Sequence, residues 1–543
     1  MLIQAMGARP GSCHNCRRGR LKCDRSIPQC LKCTSRGQSC LGYGVLLRWE
    51  KGMASRGKMV GVTSDNIGKV QNGDTTATLQ APRPRILPTS QPSFTSSESN
   101  SPRSLTDPLV QDIDCRSRRY LDYFARDVCK DLVLYDIPKH NPFRELIPMA
   151  YQQPMLLQAI IASSALHMSN ACQRPSSSLS IFTTMASTQS SKSFVESLSI
   201  GHTTSHQEAF HDALRAKQQA LCLLNSAVGS MASANVDAIL AAVLLLIGFE
   251  LIDSGRGSWI SHINGARTII EKLIASGSGT DTVFSPLRSW LVSNCLVYDL
   301  LGSSFANSYL PHGGELSMTT MSLLQDAEGN HCSSFPAALL PLIQAGAQIL
   351  NISDVYMLPD TSINSGHHDA LQLLHAAKSF DPAAWATNLQ PRSPADDLLH
   401  RTMIACAHRT AVCVYLSRII LSLWPSTVLP DDLQVLAAEI IIHLSHLHPG
   451  DALFTATAWP AFIAGLETRD LTNRAWVERR FQELWKIEPW GFTRDALGAL
   501  RTIWGERKNE VLLTSSDDEL YEREENWNWI ETLRNLGTDW LIA

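Results

Sequence analysis

CHNCRRGRLKCDRSIPQCLKCTSRGQSC, residues 13–40, spaces six cysteines as Cys-x2-Cys-x6-Cys-x6-Cys-x2-Cys-x6-Cys, and this spacing decides the fold of the N-terminal end. In a chain without a secretory leader such a pattern is a metal-binding pattern rather than a disulfide framework. Zinc prefers a tetrahedron of four ligands and takes thiolate sulfur at about 2.3 Å. A single four-cysteine site would leave two of these cysteines over, and two separate sites would need eight. Six thiolates serve two zincs fully only if two sulfurs touch both metals. Each Cys-x2-Cys pair makes a tight turn able to begin a short helix, so the stretch reads as two similar halves around one binuclear cluster. Structural zinc contributes on the order of 10 kcal/mol or more to folding, which lets so small a module fold.

Working outward, the charge is uneven. Residues 1–60 carry 12 Lys and Arg against 2 acids, +10, and the remaining 35 against 49 give −14, so the net −4 of the 543-residue chain hides a basic head on an acidic body. That asymmetry points to a polyanion-binding end. Between Cys16 and Cys23, RRGRLK crowds Arg17, Arg18, Arg20 and Lys22, expected on one short helix as a DNA-facing surface. Met1–Gly11 lacks an apolar leader segment, so the 14 cysteines are expected as thiols or metal ligands.

Residues 41–60 extend the module and stay basic. Residues 61–112 turn rich in Ser, Thr and Pro and read as a disordered linker. Residues 41–112 show no sustained heptad, so a dimer would have to form through the rest of the chain. An apolar fraction of 44% with 18% charged residues excludes disorder of the whole chain. From about residue 113 apolar positions recur at helical spacing, and an all-α body of roughly a dozen helices is expected over 113–543. Tyr120, Phe124, Val128 and Leu132 step by four; Leu214, Leu221 and Leu224 group together, as do Trp259, Ile263, Ile270 and Leu273. Ala238–Phe249, too short to span a bilayer, reads as a buried core helix, and the Ser/Thr-rich stretch 175–206 as a mobile loop. No membrane association is expected.

The six cysteines, with Pro28 two residues before Cys30, resemble the Zn₂Cys₆ binuclear cluster of fungal transcription factors. RRYLDYFARDV, SWISHINGARTIIEKL, WPAFIAGLE and RAWVERRFQELW resemble blocks of the fungal-specific regulatory domain of the second type, the group that includes the acriflavine sensitivity control protein. The resemblance implies a small zinc-stabilised module plus a large all-α helical domain joined by a disordered linker. It implies two zinc ions on Cys13, Cys16, Cys23, Cys30, Cys33 and Cys40, with Cys13 and Cys30 bridging. It further implies base-edge contacts from Arg20 and Lys22, and phosphate contacts from Arg17, Arg18, Arg25, Lys32 and Arg36, on double-stranded DNA with a GC-rich, CGG-like core. Gly19 departs from the basic residue usual at its position.

The function so read is a nuclear, sequence-specific regulator of RNA polymerase II transcription, with secondary-metabolite gene clusters as candidate targets. The transcription machinery and a small-molecule effector are its candidate partners. The rival is a repressor or cofactor acting mainly through protein contacts of the helical domain. An enzyme is not expected, because six thiolates around two metals leave no open position for water and no G-x-S-x-G, H-E-x-x-H or G-x-G-x-x-G unit occurs. Gly52–Met59 imitates a phosphate-binding loop but carries Met59 where a hydroxyl is required. His367 and His368 beside Asp369 read as a turn or helix start, and Cys406 and Cys413, seven apart, as core packing. The last residues, DDELYEREENWNWIETLRNLGTDWLIA, support two readings: an acidic-aromatic activation segment, or a packed closing helix placing Trp529, Leu533 and Leu536 on one face.

Overall fold

The computed structural model describes residues 12–13, 15–16, 19–26, 30–37, 40, 113–137, 141–174, 190–229, 236–276, 284–306, 317–355, 360–512 and 527–543; in 190–205, 275–276, 352–355, 360–364 and 508–512 only the backbone is described. The expected basic extension, the linker and the imitation phosphate loop lie outside the described residues. The chain divides into two compact units between Pro102 and Arg103, each with its own core.

Among its described residues the first unit has the short helix α1 (Leu31–Thr34), helical backbone at Asn15 and Cys16, and a core of sulfur. Cys13, Cys16, Cys23, Cys30 and Cys33 are buried, with Leu21 and Cys40 packed against them.

The second unit is all-α, with more helices than the dozen expected, and among the described residues its β structure is confined to isolated bridges at Val133–His331 and Arg256–Trp540. It begins with α2 (Cys115–Tyr123), α3 (Pro142–Ala150), α4 (Pro154–Cys172), α5 (Ser190–Gly229), α6 (Val236–Asp253), α7 (Trp259–Ser276) and α8 (Pro286–Gly302). It continues through α9 (Met318–Ala327), α10 (Leu340–Val355), α11 (Asp360–Ser379), α12 (Pro382–Leu389), α13 (Leu398–Leu423) and α14 (Leu433–Ser445). The closing set is α15 (Ala458–Glu467), α16 (Leu471–Ile487), α17 (Gly491–Leu512) and α18 (Trp529–Asn535). Many starts are capped by a short polar side chain that satisfies orphan amides. Asp114 accepts from Arg116 N and Ser117 N, and Asn141, Ser285 and Asp381 each cap a helix whose first residue is proline.

Two helices organise this unit. α6 reads VDAILAAVLLLIGFELID and is buried at every residue except Asp237 and Asp253; it packs against α3, α4, α5, α7, α8 and α17. α13 is the counterpart in the C-terminal half, packing against α10, α11, α12, α14, α15 and α18. It is apolar and long enough to cross a bilayer, yet 83% of its apolar window is buried in the fold, so it serves as a core helix. Tyr120, Phe124, Val128 and Leu132 are all buried as their spacing predicts, although Phe124–Val128 widens into a π-turn after α2.

Three expectations are corrected. The stretch 175–206 is not one loop: α5 is helical from Ser190, and His206 on it is within 2.6 Å of the Ser169 hydroxyl of α4. Extending a helix that tertiary packing already holds costs far less than nucleating one, so Ser/Thr content does not stop it. Leu214 and Leu221 do not enter the core. α5 meets α4 through Ala209, Ala213, Ala216 and Ala220, small residues that allow close approach, and the two leucines fall on an adjoining exposed face. The His367–Asp369 run is likewise inside α11 rather than at a turn, with the His367 ring 5.0 Å from Trp424 and its Nε2 3.0 Å from the Thr427 hydroxyl.

Candidate zinc centre and nucleic-acid interface

The N-terminal unit is built as a repeat. Cys13, Cys16 and Cys23 recur as Cys30, Cys33 and Cys40, each 17 positions on. In each half the second cysteine of the close pair donates its backbone N–H to the first sulfur: Cys16 N to Cys13 Sγ at 3.4 Å, Cys33 N to Cys30 Sγ at 3.3 Å. Each half then ends in a left-handed residue, Arg20 (φ 52°) in the first and Gly37 (φ 67°) in the second. Gly19 N to Asn15 O at 2.9 Å and Leu21 N to Cys16 O at 2.8 Å close the first turn in the manner of a helix C-terminus.

The sulfurs form two quartets, Cys13, Cys16, Cys23, Cys30 and Cys13, Cys30, Cys33, Cys40, in each of which the ligand atoms lie within 4.8 Å of one another. Cys13 and Cys30 belong to both. The Sγ–Sγ distances are 3.4 Å for Cys13–Cys30 and 3.7 Å for both Cys13–Cys33 and Cys16–Cys30. A tetrahedron of sulfurs about 2.3 Å from its centre has an edge of about 3.8 Å, so the donor set fits zinc in size as well as chemistry. Burial, before any neighbouring sulfur, pushes the Cys16, Cys30 and Cys33 thiols up to about 12. Thiols so placed ionise against a strong local cation, which is what a metal ion supplies. Cys23 is instead lowered to about 7, chiefly by the Cys13 amide that points at its sulfur at 3.4 Å.

The basic residues sit on this frame, but not all on one helix. Asn15 and Cys16 are helical, Gly19 and Arg20 form a turn, and residues 21–26 are non-helical. Lys22 therefore lies outside helical backbone, correcting the expectation that it shares one short helix with Arg17, Arg18 and Arg20. The chain has to turn there because Cys23 must come back to the cluster. Arg20, Lys22, Arg25, Lys32 and Arg36 are all exposed, and among the described residues no carboxylate pairs with any of them. Arg17 and Arg18 lie outside the described residues.

Asp24, a residue the sequence reading passed over, explains why the acid beside these cations does not neutralise them. Its carboxylate accepts from Leu31 N at 3.0 Å, Lys32 N at 3.1 Å and the Ser26 hydroxyl, so it caps α1 across the pseudo-repeat. The Ser26 hydroxyl, followed by the Lys32 and Leu31 amides, holds it well below the usual carboxylate range. A lone acid directly after a ligand position in a basic stretch was the signal available.

The model of the fungal Zn(2)-Cys(6) binuclear cluster domain matches residues 11–50, and that of the fungal-specific transcription factor domain matches residues 119–543. The chain belongs to the fungal Zn₂Cys₆ transcription factors. This family is one of transcriptional regulators rather than enzymes, and its cluster domain binds zinc through six cysteines. The chain is 29% identical to the acriflavine sensitivity control protein acr-2 of Neurospora crassa over 98% of its own length and 97% of that protein's. It is 21% identical to a phomenoic acid biosynthesis cluster-specific transcriptional regulator of Leptosphaeria maculans, over 91% of this chain and 85% of that one. No solved structure matches the chain.

Proposed function

We propose that residues 13–40 hold two zinc ions, with Cys13 and Cys30 bridging, Cys16 and Cys23 completing one site, and Cys33 and Cys40 the other. The observation that carries this reading is the membership of Cys13 and Cys30 in both sulfur quartets. The zinc ions supply a rigid frame, and the exposed cations on it meet DNA: Arg20 and Lys22 at base edges, and Arg25, Lys32 and Arg36, with Arg17 and Arg18, at phosphates. The target is double-stranded DNA with a GC-rich, CGG-like core. The chain then acts in the nucleus as a sequence-specific regulator of RNA polymerase II transcription. Residues 41–60 serve as a basic extension, 61–112 as a linker, and 113–543 as the domain that regulates output, with a small-molecule effector as its candidate ligand. The name of the Leptosphaeria relative, a cluster-specific regulator, supports a biosynthetic gene cluster as the target.

Binding-site selection on the full-length protein at moderate salt tests the DNA reading. The expected result is one enriched GC-rich motif, bound with an affinity that falls steeply as salt rises. Recovery of no enriched motif would leave the module without a sequence-reading role.

A further inference from the structure

In the C-terminal half of the helical unit four arginines converge: Arg418 of α13, Arg469 just after α15, Arg474 of α16 and Arg507 of α17, the first three each close enough to act on the charge of Arg507. The carboxylate among them, Glu467, is fully buried and already saturated. It accepts from Arg418 through both Nε at 2.7 Å and Nη2 at 2.5 Å, from Gln434 Nε2 at 2.8 Å and from Trp529 Nε1 at 3.0 Å. Arg474 donates Nε to Thr468 O at 3.2 Å and lies over the Trp504 ring. Arg507 is left over. It is 6% exposed, its guanidinium stacks 4.2 Å from the Trp527 ring, and Nη1 and Nη2 find no hydrogen-bond partner among the described residues. Burial first, then the neighbouring Arg469, lowers it to about 10. A buried guanidinium with two free donors beside three like charges is built to receive a carboxylate or a similar anion.

The sequence supplies one at close range. Residues 513–526, LTSSDDELYEREEN, lie outside the described residues and carry Asp517, Asp518, Glu519, Glu522, Glu524 and Glu525 against Arg523. The segment leaves from α17, the helix of Arg507, after Leu512. It returns at Trp527, whose ring lies under Arg507 and whose carbonyl accepts from Arg418 Nη1 at 2.8 Å. Both ends of an acidic tether are thus fixed at the arginine cluster, which gives its carboxylates a high effective concentration there.

We propose that the arginine cluster around Arg507 is an anion-binding site whose occupant is the chain's own acidic segment, Asp517–Glu525. Docked, the segment lends its carboxylates to Arg507 and is withheld from other partners; released, it presents six acids beside Tyr521. No residue of 13–40 takes part, so this inference stands apart from the DNA reading.

The test uses the full-length protein and two variants. One has the segment neutralised (D517N, D518N, E519Q, E522Q, E524Q, E525Q), and the other is Arg507→Gln. Tryptic cleavage after Arg523 is measured at low salt and divided by the rate on a free peptide of the same sequence. The expected result is slow cleavage of the parent protein and roughly tenfold faster cleavage of both variants, with the parent catching up at high salt. A neutralised segment cleaved at the parent's normalised rate overturns the proposal, including the case where Arg507→Gln alone is faster. Inorganic phosphate supplies the second arm. It should raise the melting temperature of the neutralised variant, whose site is free, and leave the parent unchanged. An equal rise in both would mean that the cluster takes free anions and the segment is not its occupant.

Discussion

Cys13 and Trp459 are both almost wholly buried, but what surrounds them differs in kind. Around Cys13 the buried side chains are other cysteines, and among the described residues Leu21 is the one hydrocarbon residue packed against them. Around Trp459 lie Phe305, Phe335, His408 and a continuous apolar core that runs from Tyr120 to Ile542. Hydrocarbon burial stabilises a fold in proportion to area, about 25 cal/mol per Å², and needs no ligand. A core of thiols has no such reserve, so its stability is metal binding itself. The two units should therefore fail separately and for different reasons.

Removal of zinc should break the comparison most sharply. A strong chelator added to the full-length protein should withdraw on the order of 10 kcal/mol from residues 12–40 and abolish DNA binding. The helical circular dichroism signal and the melting temperature of the second unit should stay as they were. Parallel loss of both would mean that the units are not independent.

The converse perturbation is Arg401→Leu. Arg401 is fully buried and donates to Asp397 Oδ2 at 2.8 Å, to Glu328 O at 3.1 Å, to the Ser334 hydroxyl at 2.9 Å and to Gly329 O at 2.8 Å. Removing it leaves the buried Asp397 carboxylate without its cation, held only by the Tyr135 and Ser393 hydroxyls, and takes a donor from two carbonyls, at an expected cost of about 3–5 kcal/mol in denaturant unfolding of the helical unit. Zinc content should not change.

Arg20→Gly separates folding from reading within the first unit. Arg20 is held at φ 52°, where a glycine rests without strain, as Gly37 does in the other half. The variant should keep its zinc at least as firmly while losing about 1–3 kcal/mol of binding to the selected DNA site, measured by titration at fixed salt. Unchanged affinity would remove Arg20 from the interface.

Acid should act on the helical unit through His331 and His408, each lowered to about 3 by burial. Because their folded pKa lies below the unfolded value of about 6.5, the stability they contribute is complete above that value and is lost as pH falls from about 6.5 towards 3. The slope is about 1.4 kcal/mol per pH unit for each histidine. Among the described residues His408 makes no hydrogen bond, and its ring lies 4.1 Å from that of Phe335, so His408→Leu should remove its share of the slope, read from unfolding curves at several pH values.

What was legible in the sequence follows from how local its physics is. Ligand number and spacing constrain a metal cluster directly, so the six cysteines read as one binuclear cluster from spacing alone, while the choice of Cys13 and Cys30 as the shared pair came from the family resemblance. Strong periodicity carried Tyr120, Phe124, Val128 and Leu132 into the core, and the apolar run 238–249 into α6. The face of α5 was missed because leucine is the stronger hydrophobe, yet alanines at 209, 213, 216 and 220 let α4 come closer. The helical course of residues 190–206 was hidden for a similar reason, since packing of the later turns against α4 outweighs Ser/Thr content. In the closing residues Trp529 and Leu533 are buried and Leu536 is half-buried against the core, in line with the packed reading, while the acidic stretch 517–525 lies outside the described residues. The left-handed turn at Arg20 and the cap supplied by Asp24 depend on contacts between the two halves of the module, which spacing alone does not express.

The shared cysteines are the centre of this account, and metal content tests them most directly. Native mass spectrometry of the full-length protein, with X-ray absorption at the zinc edge, should give two zincs per chain with sulfur neighbours only, at about 2.3 Å. One zinc per chain, or nitrogen or oxygen in the zinc coordination shell, would contradict a closed cluster bridged by Cys13 and Cys30.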